Sequence, residues 1–178
     1  MKSKPIRLTP TSYALLALLD QLGEASSYDI KQAMDMTIEN FWPVPHTTAY
    51  EEPARLAAAG YLAVSQEPGG RRRKVYSLTE DGRVALREWA SEPSAAPPQL
   101  RDELVLKIFA GADPQPLAQA RVEWHRAKLA ELQGYLDEVR VAEGWDSSER
   151  TLIAGIAYHR KQLELIEELA AVAAAAQP

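Results

Sequence analysis

One stretch interrupts an otherwise helical sequence, and it narrows the possible folds sharply. Tyr61 to Glu67 and Arg71 to Leu78 carry Leu62, Val64, Val75, Tyr76 and Leu78 on either side of Pro68-Gly69-Gly70, a pattern of two strands joined by a glycine turn. The residues around this hairpin have helical spacing. Thr9-Pro10 caps a first helix bearing Leu15, Leu16, Leu18, Leu19 and Leu22 and ending at Gly23. Ser26-Ser27-Tyr28-Asp29 opens a second, with Ile30, Met34 and Ile38 as its buried stripe. Past Phe41-Trp42-Pro43-Val44-Pro45, the hydroxyls of His46-Thr47-Thr48 predict the cap of a third helix running through Tyr50, Leu56 and Ala59 to Gly60. Pro53 lies inside it and predicts a kink or a late start. Thr79-Glu80-Asp81-Gly82 caps a fourth helix with Val84, Leu86 and Trp89.

Three helices, a hairpin and a helix in that order predict a winged helix-turn-helix with a two-stranded wing over residues 1–92. Pro93, Pro97 and Pro98 then mark a linker over 93–99, and residues 100–178 read as all-helical, so the chain as a whole is mainly α. Leu100 to Ala110 is a compact amphipathic helix stopped by Gly111. Asp113-Pro114 starts a long one reaching Glu143, about 45 Å at 1.5 Å per residue. After a turn through Gly144 to Glu149, a second long helix follows. Val122, His125, Leu129, Leu132, Leu136 and Val139 on one, and Leu152, Ile156, His159, Leu163, Ile166 and Ala170 on the other, step by threes and fours as coiled-coil seams do. One small helix cannot cover so long a hairpin, so residues 100–178 are expected to form a homodimerisation domain, with Leu129, Leu132, Leu136, Leu163 and Ile166 at the interface.

Composition removes whole classes of function. The 178 residues include no cysteine and three histidines, which excludes disulfides and thiolate chemistry and leaves no metal site expected. Phosphate-binding, nucleophile-elbow and dinucleotide fingerprints are missing, so neither an enzyme nor a cofactor is expected. The alanine-rich apolar run Ala170 to Ala176, even with Leu169 before it, is far short of the roughly 20 residues of a membrane span. The charged N-terminus has no apolar segment behind it, and a cytoplasmic location is expected.

The net charge of −5 argues against nucleic acid as a partner, but the acidity is uneven. Residues 1–92 hold 11 cationic and 12 acidic side chains, whereas the remainder holds 9 and 13. Arg71, Arg72, Arg73 and Lys74 stand in a row beside the glycine turn, where they can reach phosphates or a narrow minor groove. Thr47, Thr48 and Tyr50 open the third helix and Tyr28 the second, so their hydroxyls are candidates for double-stranded DNA, with Tyr28 and Tyr50 equally open to supporting the core. Glu51 and Glu52 weigh against a strongly cationic recognition helix and shift the expected affinity to the wing. A protein-interaction adaptor without specific DNA binding is the alternative. In the helical region, Trp124 is a candidate stacking surface for a small effector. His125 and His159 on the seams suit either effector contact and proton sensing or the fixing of helix register.

These residues resemble the PadR-like transcriptional regulators in their long form. The resemblance runs through Tyr28-Asp29-Ile30, Phe41-Trp42-Pro43-Val44-Pro45-His46-Thr47, Tyr50, Arg55-Leu56, Gly60-Tyr61-Leu62, and the wing from Gly69 to Gly82. The chain departs from the family's pattern at Ser27, commonly glycine, and at Pro53, commonly apolar. The resemblance implies a homodimeric repressor of an inverted-repeat operator, released in some members by a small, often aromatic, effector.

Overall fold

In a computed structural model of the chain, residues 6–38, 41–66, 73–95, 97, 101–141 and 146–175 are described. The chain divides into two compact units between Ala96 and Pro97, inside the proline-rich stretch.

In the first unit, α1 (Pro10–Leu22) begins where Thr9 and Ser12 cap each other: Thr9 N donates to Ser12 Oγ at 2.9 Å and Ser12 N to Thr9 Oγ1 at 3.3 Å. It stops at Gly23, whose φ of 75° suits a residue without Cβ. A three-residue strand, β1 (Glu24–Ser26), leads into α2 (Ser27–Met36). Ser26 and Asp29 form its capping box, with Ser26 N donating to Asp29 Oδ2 at 2.9 Å. Then come α3 (Thr48–Ala58), β2 (Leu62–Gln66), β3 (Lys74–Leu78) and α4 (Glu80–Ser91). Leu15, Leu16, Leu19, Ile30, Leu56, Leu62 and Tyr76 are buried together as the core. Tyr13 and Trp89 stack with ring centroids 4.6 Å apart and tie α1 to α4.

Two expectations about this unit change. The sheet has three strands in the order β1-β3-β2: Ala25 on β1 and Val64 on β2 both pair with Tyr76, so the two-stranded wing is anchored at its base by a third strand. Three residues after Gly23, the last of them the cap of α2, are too few to show strand alternation, and their partner lies some fifty residues away. Thr47 does occupy the cap position of α3, but its side chain makes no cap bond. Its backbone is already helical, and the first donors find carbonyls instead, Thr48 N on Pro45 O at 2.9 Å and Ala49 N on His46 O at 3.3 Å. The helix therefore starts early and runs through Pro53, whose buried ring joins Ala49 and Leu56 on the core face. That burial offsets the backbone bond the proline cannot make.

The second unit holds α5 (Glu103–Phe109), α6 (Pro114–Val141) and α7 (Asp146–Ala175). Asp102 accepts from Leu104 N at 2.8 Å and Asp113 from Gln115 N at 3.0 Å, and these two carboxylates set where α5 and α6 begin. Asp102 makes α5 shorter than Leu100 to Ala110; Leu100 itself lies outside the described residues, as does Trp145. At 28 residues α6 is about 42 Å long. The two seams meet within the one chain: Leu132 and Leu136 pack on Ile156, and Ala118 packs with Ile166 and Leu104. Among the described residues no helix is long and apolar enough to cross a membrane.

Gly82 gives a direct test of the packing of the first unit. A Cβ there would sit 2.3 Å from the Tyr61 carbonyl oxygen and 2.8 Å from Leu78 Cδ2, and that carbonyl already accepts from Thr79 N and Oγ1. Gly82→Ala is expected to destabilise the first unit by about 2 kcal/mol or more, read by urea unfolding. Gly134→Ala on the open surface of α6, with nothing near its Cβ, should stabilise by about 0.5–1 kcal/mol.

Candidate nucleic-acid interface

With Ala49, Pro53 and Leu56 turned inward, α3 presents Thr47, Tyr50, Glu51 and Ala54 to solvent, Tyr50 being 51% exposed. Thr48 is half-buried at the edge of this face. Tyr28, 54% exposed at the start of α2, accepts a hydrogen bond from Gln32 Nε2 at 3.2 Å through its hydroxyl. Both tyrosines, placed by the sequence between DNA contact and core, are therefore surface residues. Lys31 on α2 is paired with Asp35 and lies near Tyr28 and Tyr50. Sequence reading missed this lysine, although its position one helical turn past Tyr28 was the available signal.

The base of the wing adjoins the start of α2. Arg73 and Lys74 are exposed, and with Ser26, Ser27, Tyr28 and Tyr76 they line an open groove of about 240 Å³ at the start of α2. Asp29 sits beside it; hydrogen bonds from the Ser26 side chain and backbone hold its carboxyl below the ordinary value, and the Arg73 charge adds to this. Two cations next to a helix N-terminus form a surface suited to a phosphate. Arg71 and Arg72, the other half of the cationic run, lie outside the described residues.

Residues 15–88, spanning most of this unit, match the family model described as the transcriptional regulator PadR-like family. Over these residues the chain is similar to the PadR-like transcriptional regulators. The chain is 28% identical over 134 residues to the negative transcriptional regulator PadR of Bacillus subtilis, covering 71% of this chain and 73% of that protein. Two solved structures of Bacillus subtilis PadR share the fold. One, in complex with operator DNA, has a TM-score of 0.80 and 24% identity over 96% of this chain and 99% of that one. The other, in complex with p-coumaric acid, has a TM-score of 0.72 and 23% identity over 91% and 97%.

The helical unit holds the other singled-out residues. Leu132, Leu136 and Ile166 are 2%, 4% and 3% exposed and Leu129 and Leu163 are half-buried, so the seam assigned by sequence to a partner is largely covered by the chain's own opposite helix. His125 on α6 and His159 on α7 are buried with their Nδ1 atoms 2.8 Å apart, one donating and the other accepting. Trp124, 52% exposed, sets its indole edge-on to both imidazoles, with centroids 4.8 and 5.5 Å away. Arg121, bonded to Asp102 at 2.6 Å, and Lys128, bonded to Glu131, flank the pair. Among the described residues no group of three or more histidine, aspartate or glutamate side chains is placed to hold a metal.

Burial first, then the charges of His159 and Arg121, pushes His125 down from 6.5 to about 4; burial and Lys128 lower His159 as well. A histidine whose pKa is lowered by folding binds its proton more readily when unfolded. Its contribution to stability is therefore complete above about pH 6.5 and is lost as the pH falls towards 4. The urea midpoint of the helical unit should drop across that window. Replacing both residues by leucine should flatten the drop, and an unchanged slope would count against the pair as its source.

Proposed function

We propose that this chain is a homodimeric repressor that binds an inverted-repeat operator in double-stranded DNA and is released by a small effector. The observation that carries the reading is the groove in which the exposed Tyr28 at the start of α2 meets Arg73 and Lys74 of the wing, together with the exposed hydroxyls of Thr47 and Tyr50 on α3. Hydroxyl groups at a recognition-helix N-terminus bond phosphates and base edges, while wing cations supply attraction that does not depend on sequence. Thr48 at the edge of the face sets register, and Arg71 and Arg72 add to the cationic wing. Negative regulation is supported by the name of the Bacillus subtilis relative, and DNA and effector binding by its structures with operator DNA and with p-coumaric acid.

A second copy is favoured by the helical unit, where Val105, Leu106 and Phe109 on α5 are 43%, 63% and 88% exposed and Leu165 and Val172 on α7 are 42% and 69% exposed. Leu129 and Leu163, half-buried in one chain, border such a contact, while Leu132, Leu136 and Ile166 support it from within. A two-fold dimer reads a two-fold DNA site, hence an inverted repeat. For the effector, the open face of Trp124 offers a stacking surface, backed by the His125–His159 pair.

The test is to select duplexes from a random pool with the purified chain and measure affinity for the best of them, and for random DNA, across a salt series. Specific binding with a steep log–log salt slope is expected. Arg73→Ala/Lys74→Ala should weaken binding to both DNAs and reduce the slope by about 0.9 for each phosphate that is no longer neutralised. A chain that selects no sequence, or a slope untouched by the double substitution, would contradict the reading.

A further inference from the structure

The recognition helix carries one cation, Arg55, which on sequence grounds alone would be counted among the DNA contacts. Its surroundings give it different work. Arg55 Nε donates to Glu52 Oε2 at 2.7 Å, and Nη2 donates to Glu52 Oε1 at 2.5 Å and to Ser12 Oγ at 3.0 Å. Nη1 reaches the Arg7 carbonyl oxygen at 3.4 Å. All three guanidinium nitrogens thus have partners within the chain, and two of those partners belong to α1 or the segment entering it. Ser12 is completely buried and is half of the α1 capping box, its Oγ also accepting from Thr9 N at 2.9 Å. Glu52 is only 14% exposed; burial pushes its carboxyl up, and the hydrogen bonds from Arg55 and Ser12 more than reverse this.

We infer that Arg55 is a positioning residue for DNA reading, a pin that fixes the rotation of α3 about its own axis by bonding it to the capped end of α1. The inference rests on the DNA-binding reading above. The core contacts of Ala49, Pro53 and Leu56 hold α3 against the unit but are non-directional, and the first two are small or rigid side chains that permit rolling. A guanidinium fork bonded to Glu52 on one side and Ser12 on the other is directional. Arg55 occupies the flank of α3 away from Tyr50, so a small roll at Arg55 displaces Thr47, Tyr50 and Glu51 together. Lysine keeps the charge and loses the fork, which separates the pin from a simple charge contribution.

The experiment compares full-length Arg55→Lys and Ser12→Ala with the unsubstituted chain on its own selected duplex and on random DNA, across a salt series, at a temperature where circular dichroism shows each folded. Loss of about tenfold in affinity for the selected duplex is expected in both variants, with random-DNA affinity and salt slope unchanged. Ser12 lies on α1, and because its substitution also removes half of the α1 capping box, its effect is read beside that of Arg55→Lys, which leaves the box intact. A parallel fall in random-DNA affinity with a shallower slope for an Arg55→Met variant would make Arg55 a phosphate contact and overturn the inference. A lowered melting temperature with an unchanged ratio of specific to random affinity would overturn it too, leaving Arg55 a purely structural residue. Failure of the unsubstituted chain to select any sequence is a different result and defeats the DNA reading itself.

Discussion

A helix that buries one face exposes the other, and in this protein α3 has that choice made by three residues. Ala49, Pro53 and Leu56 fall on one side of the helix and are all but fully buried. Thr47, Tyr50, Glu51 and Ala54 must therefore face solvent. The remainder of the first unit supports that orientation. Leu15, Leu16, Leu19 and Ile30 supply the apolar bed, and β1 pairs with β3 so that the wing is held next to the start of α2. The bonds of Arg55 to Ser12, Arg7 and Glu52 add a directional element where packing alone has none.

An overall charge of −5 is compatible with this surface because most of the acidic side chains near it are engaged locally. Asp29 closes the α2 capping box, Glu52 is bonded to Arg55, and Asp35 is paired with Lys31. Glu51 is an exception among the described residues, an exposed carboxylate on the outward face of α3. A carboxylate there would repel phosphate, and the base-edge groups it could accept from are amino groups such as that of cytosine. Net charge counts every residue alike, whereas binding depends on the few that face the partner.

Much of the fold was legible because the signals were local. Thr9-Pro10, Ser26 with Asp29, Thr79 and Asp113-Pro114 each marked a helix start through a bond within three residues of itself. What sequence did not yield depended on partners far along the chain. The β1–β3 pairing joins segments some fifty residues apart, and the seam of α6 gave its period without saying which helix would cover it. His125 and His159 were recognisable as seam residues, but only the antiparallel return of α7 brings their Nδ1 atoms to 2.8 Å. Thr47 had the right chemistry for a cap and the wrong backbone, because the Pro45 and His46 carbonyls had already taken the donors. At the candidate interface, residue type pointed to Tyr28, Tyr50 and Lys74 and helical spacing could have added Lys31, while the pinned state of Arg55 emerged only from geometry.

Amide hydrogen exchange of the full chain, alone and bound to a duplex it has selected, tests the central claim most directly, because it reports on every segment at once. The account predicts slowed exchange on DNA binding at residues 26–28, 46–51 and 73–74, the starts of α2 and α3 and the base of the wing. Slowing confined to residues 103–175, with those three segments unchanged, would contradict it.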